Sequence, residues 1–108
     1  MDRIRVLLVD DHTLVRQGLR CILDTDEEIE VVGEAGDGRS AVDLSERLQP
    51  DVVVMDLTLP ELNGIEATRR IFKQEKETKV LILTMHTDRM FVRQSLKAGA
   101  RGYLEDEE

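Results

Sequence analysis

A chain of 108 residues, 41% hydrophobic and 35% charged with two prolines, has the size and composition of one globular domain, which excludes a second folded unit and a disordered or fibrous chain. Its formal net charge of −8 argues against a grip on nucleic acid, which relies on Lys and Arg displacing counterions from phosphates. Cys21 is the only cysteine, so an internal disulfide or a cysteine-based zinc site is excluded, and the opening MDRIRVLLVDD turns acidic too soon for a signal peptide or a membrane span. A cytoplasmic protein with no membrane partner is expected.

In chain order, Ile4 to Val9 is a continuous aliphatic run of strand length, as are Val52 to Met55 and Val80 to Leu83. Such runs are typical of strands buried on both faces of a parallel sheet. Ile29 to Ala35 carries Glu30 and Glu34 between its apolar residues, and Gly102 to Leu104 is short; both are expected as outer strands. Between these runs, apolar residues recur at helical spacing. Leu14, Val15, Gly18, Leu19, Ile22 and Leu23 form one stripe, and Ala41, Leu44, Ser45 and Leu48 another. Weaker stripes follow through Ile65, Thr68 and Phe72, and through Val92, Leu96 and Gly99, with Asn63 and Asp88 placed to cap them. The alternation βαβαβαβαβ predicts a doubly wound α/β fold, a five-stranded parallel sheet with helices on both faces. After the last strand the chain reads Glu105-Asp106-Glu107-Glu108, with no helix to follow.

Open parallel sheets bind ligands at the carboxyl ends of their strands, and here those ends are polar. The first strand runs into Asp10 and Asp11, the third into Asp56, the fourth into Thr84, and the fifth holds Tyr103. Crowded carboxylates repel one another, a cost that a hard divalent cation removes by taking oxygen ligands, so Mg²⁺ suits the cluster. A carboxylate beside Mg²⁺ is also a competent phosphoryl acceptor. Each residue taken alone has a plainer reading. Asp10-Asp11 is equally a cap for the first helix, Asp56 a turn residue, and Thr84 and Tyr103 ordinary strand formers. Only their shared location favours chemistry. His12 and His86 are expected to be solvated rather than metal-ligating, Met55 and Met85 to serve packing, and Cys21 to be inert or partly buried.

The segments VLLVDDHTLVRQGL, DVVVMDLTLPELNGIEATRRI, VLILTMHTD and SLKAGARGYL together resemble the receiver domains of response regulators across nearly the whole chain. DDHTLVRQGL, LTMH and KAGARGYL are similar in particular to the NarL/FixJ (LuxR-type) subfamily, which joins a receiver to a C-terminal helix-turn-helix output domain. The resemblance implies a flavodoxin-like receiver with strand order 2-1-3-4-5 over residues 1–108, DNA being reached only through an output domain outside this chain. It implies that Asp56 is the phosphoacceptor for a sensor histidine kinase and that Asp11 is a direct Mg²⁺ ligand. Asp10 acts through metal-bound water, the Thr58 backbone carbonyl is a further ligand, Thr84 is the phosphate-bonding hydroxyl and Tyr103 the switch aromatic. Pro60 and Gly64 match the turn after the acceptor strand. Such a domain is a signalling switch that catalyses its own phosphorylation and slow dephosphorylation. A small Mg²⁺-dependent phosphatase or a flavodoxin-like carrier on a similar sheet is disfavoured. The acceptor has no following general acid, and Asp10-Asp11 stands where a phosphate-cradling loop would be.

One departure stands out. The family places a lysine three residues after the switch aromatic, and here that position is Asp106; Lys97 and Arg101 are out of register with it. Unit charges about 4 Å apart interact by roughly 4 kcal/mol at an effective dielectric near 20, so replacing attraction by repulsion weakens the hold on a phosphoryl group by several kcal/mol unless Asp106 turns away into water. The family's final helix, which packs on the first helix and the sheet, has no counterpart in this sequence. A truncated or naturally atypical receiver is expected, with an apolar face that promotes a homodimer, and a phosphorylation-independent interaction module is the alternative.

Overall fold

The computed structural model describes residues 3–56, 63–74, 77–84 and 102–105, with backbone alone at 83–84 and 102–105. The elements in chain order are β1 (Ile4–Val9), α1 (Thr13–Asp24), β2 (Ile29–Ala35), α2 (Gly38–Leu48), β3 (Val52–Met55), α3 (Gly64–Gln74), β4 (Lys79–Thr84) and β5 (Gly102–Glu105). The strands form one sheet in the order β2-β1-β3-β4-β5, and every neighbouring pair is parallel. Parallel neighbours need a crossover between them, and α1, α2 and α3 provide three of these. The less apolar runs lie at the two edges, as their composition predicts.

Strand side chains alternate between the two faces of the sheet. Leu7, Val9, Val53, Met55, Val80 and Ile82 pack with Ala41, Val42, Ala67 and Ile71 from α2 and α3. On the other face, among the described residues, Val6, Leu8 and Val31 are buried, with Leu19 and Leu23 of α1 and Val52 and Val54 only partly covered. Among the described residues, α1 contributes no buried side chain, and Leu14 and Ile22 are 81% and 67% exposed. Cys21 is exposed too, which corrects the expectation of partial burial; it projects from the helix away from the sheet-facing Leu19 and Leu23.

Two helices bury smaller residues than their apolar stripes suggest. In α3 the contact line runs through Gly64, Ala67, Thr68 and Ile71, while Ile65 and Phe72 sit half-buried at its margins. The Thr68 hydroxyl is satisfied by donating to the Gly64 carbonyl at 2.7 Å. In α2, Gly38, Ala41, Val42 and Ser45 are buried, and the Ser45 hydroxyl has no hydrogen-bond partner among the described residues. Small residues let both helices approach the sheet closely. Gly33 of β2 has the same effect, since a Cβ there would lie 2.9 Å from Leu48 Cδ1 and 3.3 Å from Leu7 Cδ1.

At the pole where β1 begins, Arg5 ties β1 to the end of α2 and to the residue before β3. The Arg5 guanidinium donates to the carbonyls of Leu48 (2.7 Å) and Gln49 (3.0 Å) at the end of α2, and its backbone N–H donates to Asp51 Oδ2 at 2.9 Å. Gln49 closes α2 in the left-handed region, at φ 48°.

Candidate metal centre

From β1 the chain leaves to one side to build β2 and then returns to the other side to build β3, so the order of the sheet reverses between β1 and β3. That is where an open α/β sheet leaves a crevice outside the strand ends. β1 and β3 are paired in register up to Val9 and Met55, which makes the next residues, Asp10 and Asp56, emerge side by side. Each is anchored by its own amide. Asp10 N–H donates to the Ala35 carbonyl and Asp56 N–H to the Val9 carbonyl, both at 3.0 Å.

The side chains converge from these anchors. Asp10 is largely buried, at 11% side-chain exposure, and Asp11 is at 33%. Asp10 Oδ1 accepts from the His12 backbone N–H at 2.8 Å, a turn that closes just ahead of α1. His12 Nδ1 lies 3.1 Å from Asp10 Oδ1 and 3.1 Å from Asp11 Oδ1. One ligand atom each from Asp10, Asp11, His12 and Asp56 falls within a 4.8 Å span. The plainer reading of Asp10 as a helix cap does not describe its bonds. His12 is the N-cap residue and makes no side-chain cap hydrogen bond, while Asp10 serves the turn before it.

Electrostatics follow from this crowding. The hydrogen bond to Asp10 and the charge of Asp11 raise the His12 imidazole above its ordinary pKa. The two carboxylates thus already favour a cation between them. Three carboxylates with an imidazole at the margin make a donor set with hard oxygen ligands and no thiolate, which fits a divalent cation that accepts carboxylate oxygens. The cluster has the donors and the spacing to hold a metal ion.

Behind the carboxylates stands an ion-pair chain that joins α1 to β2. Arg16 Nη1 donates to the Asp10 carbonyl at 2.5 Å and its Nε to Glu34 Oε1 at 2.9 Å. Arg20 pairs with the other Glu34 oxygen and, at 3.8 Å, with Asp24. The Arg20 hydrogen bond, reinforced by Arg16, holds the Glu34 carboxyl below its ordinary pKa despite partial burial.

The structure therefore brings Asp10, Asp11 and Asp56 together. Thr84 ends β4, its backbone in register with Glu105, and Tyr103 is in register with Ile82; the side chains of both lie outside the described residues, as do Thr58, Pro60, His86, Met85, Asp88, the expected helix through Val92, Leu96 and Gly99, and Asp106. Gly64 is buried as the first residue of α3, and Asn63 Oδ1 accepts from Glu66 N–H at 2.9 Å as the cap its type suggests. Arg16 is an addition that sequence reasoning passes over, and His12, expected to be solvated and not metal-ligating, has a ring nitrogen within the candidate cluster. The imidazole of His12 is solvated as expected, at 66% side-chain exposure, yet its Nδ1 still touches both carboxylates. Its place two residues after Asp10, where an Asx turn folds a side chain back, is the signal that points to it. Among the described residues no helix is long and apolar enough to cross a membrane.

Comparison with known proteins gives a consistent result. The family described as response regulator receiver domain matches residues 6–107. The chain is 44% identical over 103 residues to the transcriptional regulatory protein DegU of Brevibacillus brevis, covering 95% of this chain and 44% of that protein. Against the response regulator UvrY of Escherichia coli it is 46% identical over 101 residues, covering 94% and 46%. Its fold is similar to the crystal structure of a LuxR-family two-component response regulator from Aurantimonas sp., with a TM-score of 0.93 at 42% identity, covering 99% of this chain and 76% of that one. The chain spans about half the length of the curated relatives it matches.

Proposed function

The chain belongs to the response regulator receiver domain family, of the NarL/FixJ type, and from that premise we propose that it is a phosphoaccepting switch with Asp56 as the acceptor. The observation that carries this reading is the meeting of Asp10, Asp11 and Asp56 at the ends of two adjacent strands. A carboxylate oxygen of Asp56 attacks the phosphorus of a phosphohistidine on a sensor histidine kinase. The P–O bond forms as the P–N bond breaks, and the departing imidazole takes up a proton. Asp10, Asp11, Asp56 and the Thr58 backbone carbonyl are the residues that would hold Mg²⁺, which when bound supplies neutralising charge to the phosphoryl oxygens.

Thr84 offers its hydroxyl to the phosphoryl group, and Tyr103 repacks in response. Water attacking the same phosphorus breaks the P–O bond, releases inorganic phosphate and restores the carboxylate. The domain therefore catalyses both steps on itself and is a switch rather than a turnover enzyme. The whole of residues 1–108 forms one receiver unit, cytoplasmic, acting on DNA only through an output domain of the kind its transcriptional relatives carry. Exposed Leu14, Val15 and Ile22 on α1 favour a homodimer, and concentration-independent monomer mass in light scattering would count against it. Asp106 at the family's lysine position favours a second reading, an interaction module that no longer signals through phosphate.

Intact-mass analysis after acetyl phosphate treatment separates the two. The expected result is a Mg²⁺-dependent gain of one phosphoryl group in the wild type, lost in Asp56→Ala and increased in Asp106→Lys. No gain in the wild type or in Asp106→Lys would overturn the phosphoacceptor reading.

A further inference from the structure

We infer that Arg16 is a positioning residue for the carboxylate site, holding the Asp10–Asp11 peptide in the orientation from which Asp11 reaches a bound cation. The inference rests on reading Asp10, Asp11 and Asp56 as a divalent-cation site. A peptide unit is planar, so the oxygen of Asp10 fixes the plane that also contains the nitrogen and Cα of Asp11. Arg16 Nη1 donates to that oxygen at 2.5 Å.

Arg16 is itself held in place. Its Nε donates to Glu34 Oε1 at 2.9 Å, and the two side chains are only 18% and 23% exposed. A guanidinium is flat and rigid, so bonds from Nε and Nη1 to two separate acceptors fix both its position and its plane. The next residue of β2, Ala35, accepts the Asp10 N–H at 3.0 Å. Both backbone polar groups of Asp10 are therefore referred to the same two residues of β2, one directly and one through Arg16. Arg20 provides an internal control: among the described residues it pairs with Glu34 and Asp24, and not with Asp10, while contributing to attaching α1.

Calorimetric titration with MgCl₂ tests the assignment on wild type, Arg16→Ala, Arg16→Lys and Arg20→Ala, with thermal unfolding in chelator run alongside. Loss of an orienting partner next to metal ligands typically costs roughly 10- to 100-fold in affinity, and Arg16→Ala is expected at about the 10-fold end of that range. Arg20→Ala is expected to bind Mg²⁺ as the wild type does while unfolding at a slightly lower temperature. Arg16→Lys keeps the charge but not the fork, and is expected to recover only part of the affinity. Equal Mg²⁺ affinity in wild type and Arg16→Ala would overturn the inference, as would equal losses in Arg16→Ala and Arg20→Ala. Should Arg16→Ala fail to fold, full affinity in Arg16→Lys would overturn it. A wild type that binds no Mg²⁺ would remove the cation-site reading itself.

Discussion

Among the described residues, the two faces of the sheet are buried to different extents. On the α2/α3 face, Leu7, Val53, Met55, Ile71 and Ile82 are fully buried and closed over by the small residues Ala41 and Ala67. On the α1 face, among the described residues, Val6, Leu8 and Val31 carry the buried core, and the helix above them buries none of its own side chains. Yet both the turn holding Asp10 and Asp11 and the Arg16 fork belong to the α1 side. Among the described residues the larger buried cluster thus lies in one layer, and the turn and fork beside the carboxylates in the other.

A truncation on each face separates the two layers most clearly. Ile71→Ala is expected to lower unfolding free energy in urea by about 3 kcal/mol, as large-to-small changes at fully buried sites do. Leu19→Ala on the half-buried α1 side is expected to cost about 1 kcal/mol, in proportion to the apolar area it covers; equal losses would show the faces to be equivalent. Ser45→Ala runs the opposite way, because it removes a buried hydroxyl without a partner among the described residues and substitutes a better helix former. A gain of about 1 kcal/mol in the same denaturation is expected.

Glu34 ties α1 to β2 and makes the pH dependence specific. Its folded pKa lies below the ordinary 4.5 because Arg20 and Arg16 favour the carboxylate, so its contribution is complete above that value and fades as pH falls through the lowered folded value. Glu34→Gln should therefore be less stable than wild type at neutral pH by about 1 kcal/mol or less, allowing for solvent screening. The gap should narrow as pH drops below 4.5, measured by unfolding at a series of pH values; a gap that widens in acid would contradict the pairing. The smallest effect is expected from Ile22→Ser. Its side chain is 67% exposed, and a change within about 0.5 kcal/mol by thermal unfolding would mark the outer side of α1 as uncommitted to the fold.

The layout of the sheet is legible in sequence because buried parallel strands are uninterrupted aliphatic runs. Ile4–Val9, Ile29–Ala35 and Val52–Met55 start and stop where their apolar residues do. The meeting of Asp10 and Asp56 is legible for the same reason: once two runs are read as parallel strands, the residues after them share an edge. Helix burial is less so, since periodicity identifies a face without its depth, and Ala67 and Ile71, rather than Ile65 and Phe72, take the centre of α3. The Arg16 fork is not legible at all. It joins residues 18 positions apart through a side chain whose spacing fits any solvated helix face.

The Arg5 bonds to the end of α2 and the start of β3 give that helix a fixed foot at the pole away from the carboxylates. An 11-residue helix is about 16 Å long. Pivoting about that foot by roughly 5° carries its far end about 1.4 Å over that length. Any tilt of α2 is therefore expressed at its Gly38 end, while its Leu48 end stays with Arg5.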